Sequence, residues 1–270
     1  MSGPRLTLKR APALRVDARA LDPVALSALA FAQVERVTLT HGTQVLPLAE
    51  FFSVSDHDGD GLVIEGDLSR FDRIGWRLGG SRIVVHGAVG DYVGAGMTAG
   101  DIVVHGSAGA LAGCEMAGGT LTVDGNVGDF AASTLPGSMD GMRGGTFSIG
   151  GNAGARCGDR MRRGSLLIAG DAGDFLASRM VAGTIAVAGR AGAHVGYGMR
   201  RGSVVFAGDA PAVPPTFVPA GSPADVFWQL LARDLASHGG RFASLASRGI
   251  ERHLGDLAAG GKGELILVRP

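Results

Sequence analysis

Lysine is almost missing from this chain of 270 residues: Lys9 and Lys262 stand alone in an otherwise arginine basic set. Formal charge cancels to zero, 25 basic against 25 acidic residues, so no global positive field is present to hold a nucleic acid. Cysteine is limited to Cys114 and Cys157. They are poor candidates for a disulfide pair, and no Cys/His zinc spacing includes them. No apolar run approaches the roughly 20 residues needed to span a bilayer, and no basic-then-apolar leader opens the chain. The expectation is a soluble, cytoplasmic protein with neither a membrane nor a nucleic-acid partner.

Glycine, by contrast, is abundant at 46 residues, alongside a hydrophobic content of 46% that a disordered linker would lack. The glycines are periodic. Gly87, Gly90, Met97 and Gly100 return as Gly106, Gly109, Met116 and Gly119, a step of nineteen residues. The pattern recurs at Gly151/Gly154/Met161/Gly164, Gly170/Gly173/Met180/Gly183 and Gly189/Gly192/Met199/Gly202. One repeat is seven residues longer, with the excess near Ser133–Gly141, before Met142 and Gly145. A fixed period of this size means stacked, similar units.

Each repeat carries a short alternating run before its first glycine. Examples are Arg82-Ile83-Val84-Val85-His86, Asp101-Ile102-Val103-Val104-His105 and Ser165-Leu166-Leu167-Ile168-Ala169. Period two means strand, with the second and fourth positions inward. Helical repeats are excluded, because glycine every few residues costs about 1 kcal/mol each in a helix. The fold expected is all-β: a parallel, right-handed β-helix of seven to eight coils. The division expected is an N-terminal β-rich cap over 1–60, the glycine-repeat β-helix over 61–210, and a proline linker with a helical tail over 211–270. Strands are expected at Leu6–Arg10, Val34–Thr40, Phe51–Val54, Leu62–Glu65 and Leu265–Val268, and a short helix at Pro23–Ala30. A second helix is expected to start at Ser222-Pro223 with Val226, Phe227, Leu230, Leu231 and Leu235 on its apolar side, plugging the solenoid or docking on its flank.

Four features merit reading as sites. Arg143, Arg162, Arg163, Arg200 and Arg201 follow the later methionines and form a basic stripe for an anionic chain or an acidic partner, against a plain solvated face. Val84, Val103, Leu167 and Val205 are apolar at the outward middle position of their strands and mark an interface, either with the C-terminal helix or with another polypeptide. His86, His105 and Asp124 share one repeat position; the column reads as a solvated polar ladder before a zinc site, so no metal is expected. Asp56-His57-Asp58-Gly59-Asp60-Gly61 resembles the start of an EF-hand loop, but Asp67 stands where a glutamate is usual, and a polar turn is the preferred reading. The methionine column reads as core filling. No catalytic constellation is evident, and a carboxylate column for polysaccharide hydrolysis is missing.

The Gly-x-x-Gly … Met-x-x-Gly repeat, the segment Gly61–Arg70, and the segments Leu135–Gly145 and Gly151–Gly164 together resemble the C-subunit of formylmethanofuran dehydrogenase, over roughly 50–210. That resemblance implies a non-catalytic β-helical scaffold in one-carbon metabolism. In the bacterial form the homologous complex is the formyltransferase/hydrolase, which moves a formyl group from tetrahydromethanopterin to a methanofuran-type carrier and releases formate. It implies amidohydrolase-like, molybdopterin-subunit-like and formyltransferase partner subunits, and no cofactor bound directly by this chain. The arginine-dominated composition favours the bacterial form over a molybdenum or tungsten dehydrogenase of methanogenic archaea. A glutamate-synthase-type glycine-repeat scaffold and a free-standing β-helix module remain as alternatives. The departure from the family pattern is the first repeat, where Ser69 replaces a glycine and Trp76-Arg77-Leu78 replaces the methionine segment.

Overall fold

The structure, a computed structural model, describes residues 2–221 and 224–269. Among the described residues seventeen strands run in chain order as β1 (Ser2–Leu8), β2 (Val16–Asp17), β3 (Thr38–His41), β4 (Gln44–Pro47), β5 (Phe52–Asp58), β6 (Leu62–Glu65), β7 (Phe71–Asp72) and β8 (Gly79–His86). They continue as β9 (Ala99–Val104), β10 (Thr120–Val123), β11 (Arg143–Ile149), β12 (Arg163–Ile168), β13 (Thr184–Val187), β14 (Ser203–Phe206), β15 (Val218–Pro219), β16 (Ile250–Gly255) and β17 (Gly263–Val268). Among the described residues three α-helices occur: the short α1 (Pro23–Ser27) and α2 (Phe31–Val34), and the longer α3 (Asp225–Ser237). Thirteen strands form one sheet in the order β15-β16-β17-β14-β13-β12-β11-β10-β9-β8-β6-β1-β5. From β1 through β6 and β8–β14 to β17 every neighbour is parallel.

Register follows the repeat. Ile83, Ile102, Leu121, Phe147, Leu166, Ile185 and Val204 stand in line, and all are fully buried. A second set of parallel bridges joins Leu68, Val89, Ala108, Val127, Ala153, Ala172 and Ala191, one from each repeat. Inward apolar columns from both sets merge with the N-terminal residues Leu6, Phe52 and Phe71 into one core.

The spacing Met-x-x-Gly has a steric cause. Met97, Met116, Met142, Met161, Met180 and Met199 are all fully buried. In the repeats a methionine methyl lies where a side chain on the next repeat's glycine would project: a Cβ at Gly164 would meet Met142 Cε at 2.9 Å. Gly164 also has φ +95°, which an L side chain rarely adopts. The thioether therefore fills the space that glycine vacates. Leu78, 2% exposed, takes the methionine's place in the first repeat, and its carbonyl accepts Thr98 N–H at 2.8 Å as that of Met97 accepts Ala117 N–H. Substituting Trp76-Arg77-Leu78 thus leaves the stacking intact.

Several element boundaries differ from the sequence reading. Residues 34–37 end α2 and turn before β3 begins at Thr38, because two hydrogen bonds, Glu35 N to Phe31 O and Val37 N to Val34 O, close the chain locally. Strand β5 runs on through Asp58, pairing Asp56 with Pro4 and Asp58 with Ser2. The acidic segment is therefore a strand rather than an EF-hand loop, with any turn confined to Gly59–Gly61. The expected cap Ser222-Pro223 lies outside the described residues. Helix α3 docks on the flank of the large sheet, with Trp228, Ala232 and Leu235 buried. Val226 and Leu230, expected to face inward, are 77% and 63% exposed. Trp228 sets this rotation: its Nε1–H donates to Arg248 O at 2.8 Å, and Ala232 is buried in the same cluster as the sheet residues Leu167, Ala186 and Val205.

Candidate functional site

The five arginines of the basic stripe fall on one face, where the repeat delivers them. Arg143 opens β11 and Arg163 opens β12, paired on neighbouring parallel strands. Arg162 and Arg200 occupy the residue after a methionine, where their backbone N–H groups donate to Met142 O and Met180 O at 2.7 and 2.8 Å. The intervening repeat carries Val181 and Ala182 at these places. Short side chains between long ones leave a groove of about 390 Å³, lined by Arg143, Arg162, Arg163, Val181, Ala182 and Arg201. All five arginines are exposed. Arg162 pairs with Asp140 at 2.6 Å; among the described residues Arg143, Arg163, Arg200 and Arg201 have no ion-pair partner.

Lys262 is a member of this face that sequence reasoning does not pick out. It lies 61 residues from Arg201, yet its N–H donates to Arg200 O at 2.7 Å and it is exposed. It extends the basic stripe because β17 closes the sheet on β14. No spacing signal could link it to the arginines. Clustered guanidinium groups of which only Arg162 has a carboxylate among the described residues favour an anion with several charges, since each added charge meets another donor fork.

The outward apolar column divides in two. Leu167 and Val205 are buried at 3% and 0% exposure beneath α3 and the segment carrying Phe242 and Leu245. That contact is made within this chain, so for these two residues the C-terminal helix, the first of the two occupants expected, covers the column. Val84 and Val103 lie beyond the reach of α3 and stay half-buried.

His86, His105 and Asp124 do align. The two imidazoles stack at 5.0 Å, and His105 Nδ1 lies 2.7 Å from Asp124 Oδ2. All three are exposed, and among the described residues no three His, Cys, Asp or Glu side chains converge as a metal-ligand group. Other carboxylates have main-chain partners. Asp91, Asp129, Asp171 and Asp174 each accept a backbone N–H from the next repeat, at 2.9, 2.7, 2.7 and 2.7 Å. These acids hold the turns together, a role the sequence reading does not give them.

The seven extra residues form a second feature of the surface. Gly141 N donates to Arg160 O and Met142 N to Ala132 O, both at 3.0 Å, so the insertion rejoins without disturbing the strand register Val123 to Ile149. Beneath it lies buried Asp159, gripped by Arg179 Nε at 3.0 Å and Nη2 at 2.8 Å. Ser178 Oγ donates to the same carboxylate at 2.5 Å. Both thiols are interior. Burial pushes Cys157 up to about 12, and burial likewise raises Cys114 far above the usual thiol range.

No family model matches the chain. It is 53% identical to the C-subunit of the formyltransferase/hydrolase complex Fhc of Methylorubrum extorquens, over 94% of this chain and 95% of that one. It is 34% identical, over 96 residues, to the C-subunit of the tungsten-containing formylmethanofuran dehydrogenase 2 of Methanothermobacter wolfeii. That shorter match spans 34% of this chain and 36% of the relative, so the chain aligns with about a third of the Methanothermobacter protein. In three dimensions it superposes with TM-score 0.92 and 43% identity on one chain from the crystal structure of the formyltransferase/hydrolase complex FhcABCD from Methylorubrum extorquens in complex with methylofuran, covering 98% of this chain and 100% of that one. With near-complete coverage in both sequence and structure, the chain belongs to the family of C-subunits of the formyltransferase/hydrolase complex, with a more distant relation to the C-subunits of formylmethanofuran dehydrogenase.

Proposed function

We propose that this chain is the non-catalytic scaffold subunit of a formyltransferase/hydrolase complex in tetrahydromethanopterin-linked one-carbon metabolism. The complex would transfer a formyl group to a methanofuran-type carrier and release formate. The observation that carries this reading is the full-length match to one component of FhcABCD. The partners would be amidohydrolase-like, molybdopterin-subunit-like and formyltransferase subunits, in the cytoplasm. The described structure has no helix long and apolar enough to cross a membrane. A scaffold role is supported by the use of the acids: Asp91, Asp129, Asp171 and Asp174 serve the main chain rather than a cleft. The dehydrogenase alternative rests on a match over 96 residues only.

The architecture that fits this role is a right-handed parallel β-helix over 61–210, capped by 1–60 and followed by the tail 211–270. Parallel neighbours need a crossover, and parallel crossovers are right-handed in nearly all proteins. Here the crossover carries its own parallel ladder, Leu68 to Ala191, which is what a coil of stacked strands and turns provides. Within the complex, Arg143, Arg162, Arg163, Arg200 and Arg201 would hold an anionic tail of the carrier or an acidic partner surface, and Val84 and Val103 would meet another subunit.

Isolation of the tagged chain from its own cells tests the proposal. Partner subunits in fixed ratio, with formyl transfer and formate release in the same fraction, are expected. A lone chain or homotrimer would refute it.

A further inference from the structure

The repeat is broken once, by the seven-residue excess, and a repeat-specific insertion usually marks a working face. This one roofs a pocket of about 470 Å³, within the size range of functional sites. Leu111 and Phe130 form one side, Met139 the outer lip, and Arg160 and Arg179 the polar end. The walls are mainly apolar, and the pocket opens to solvent along its length.

Two observations point outward. Phe130 and Met139 remain 38% and 67% exposed. Moreover, Phe130, Arg156 and Phe175 occupy the left-handed corner that Tyr92, Leu111 and His194 occupy in the other repeats, and here the corner is filled by large side chains in succession. Arg156 lies over the Phe175 ring at 4.6 Å and over Phe130 at 6.0 Å, so rings and guanidinium alternate along the corner. Exposed aromatic, methionine and arginine side chains are the composition of interface anchors.

Charge sets the kind of partner. Arg160 and Arg179 line the pocket with one carboxylate, Asp159, and the acids around it are engaged: Asp159 by Arg179 and Ser178, Glu115 by the Leu135 N–H at 3.3 Å, and Asp140 of the insertion by Arg162. Among the described residues Arg156 has no acidic partner. The feature crosses four successive repeats, about 14 Å at one strand spacing each, longer than one small molecule needs.

We propose that the insertion corner is the docking face for another subunit of the complex, and that this partner inserts an apolar side chain into the pocket with a carboxylate beside it, toward Arg156. The proposal rests on the reading of the chain as a complex subunit. Its test uses the four co-expressed subunits with Phe130→Ser, Met139→Ser and Arg156→Glu combined in this chain; none of the three supports the core. Loss of two anchors and one charge pair is expected to weaken retention of one particular subunit by about 100-fold or more. In parallel, a photocrosslinking residue at position 139 in the otherwise native complex is expected to capture a peptide of that same subunit containing Asp or Glu. An unmodified chain that recruits no subunit at all overturns the complex reading itself. Assembly of the triple variant with unchanged stoichiometry and salt resistance overturns only the docking face. So does a crosslink confined to this chain, or a small molecule found in the pocket of the native complex.

Discussion

Replacing Gly164 by alanine tests the steric logic of the whole repeat. An added Cβ would lie 2.7 Å from Gly145 O, 2.9 Å from Met142 Cε and 3.0 Å from Gly144 C, at φ +95°. Backbone strain contributes about 1–2 kcal/mol and overpacking about 1–3 kcal/mol, so Gly164→Ala should cost about 2–5 kcal/mol. Gly137 provides the control. Its φ is +85°, yet an added Cβ there meets nothing within 4 Å, so Gly137→Ala carries the conformational term alone. The difference between the two isolates packing, and at roughly 2 °C per kcal/mol for a chain of this size it amounts to several degrees. Met142→Ala in the Gly164→Ala background removes the methyl but not the carbonyl. The pair should therefore cost less than the sum of the singles by about 0.5–3 kcal/mol. Urea unfolding followed by circular dichroism, with thermal melts, measures all four variants. Equal effects at Gly137 and Gly164, or strict additivity with Met142→Ala, would show that the methionine column does not fill the glycine corners.

Three further outcomes follow from other parts of the molecule. Leu167→Asp with Val205→Asp places charge under α3, and should release it, shifting Trp228 fluorescence to the red while the strand signal in circular dichroism persists; an unshifted spectrum would mean that α3 is not seated on the sheet. Cys157 should resist iodoacetamide at pH 8 in the native protein and react after unfolding. Because its folded value is pushed up to about 12 and an unfolded thiol titrates near 8.5, its contribution to stability is complete below about pH 8.5. It is lost as pH rises toward 12, at about 1.4 kcal/mol per unit, and flat stability from pH 8 to 10.5 would contradict this. Converting Arg162, Arg163, Arg200 and Arg201 to alanine should leave assembly intact and weaken retention of the anionic carrier, with the weakening smaller at high salt; unchanged carrier content would remove the groove's assigned role.

Much of this protein is legible in its sequence because a period fixes positions twice. Ile83 or Met116 alone says little, but equivalents that recur at nineteen residues, with one longer step across the insertion, identify inward columns, and the structure buries them. The arginine stripe is legible for the same reason. Lys262 is not, because it belongs to β17, outside the repeat, and joins the stripe only by pairing. The direction of α3 escapes the pattern because Val226, Phe227 and Leu230 are as hydrophobic as the residues that face the sheet. Its orientation comes from burying Trp228, Ala232 and Leu235 in one cluster with the sheet and from the Trp228 hydrogen bond to Arg248, a matter of fit between segments. The role of the acids is hidden too, since an aspartate that caps a turn in the next repeat looks like any polar loop residue until both repeats are in place.

The sequence by itself determined the inward columns, the glycine corners and the resemblance to a family, since each depends on residue type at a fixed interval along the chain. Only the tertiary structure decided what covers Leu167 and Val205, which carboxylates are already engaged, and that the seven extra residues build a pocket rather than a tail. Those outcomes depend on contacts between segments whose separation in the chain carries no signal, and on the local steric fit that selects one packing among several equally hydrophobic ones.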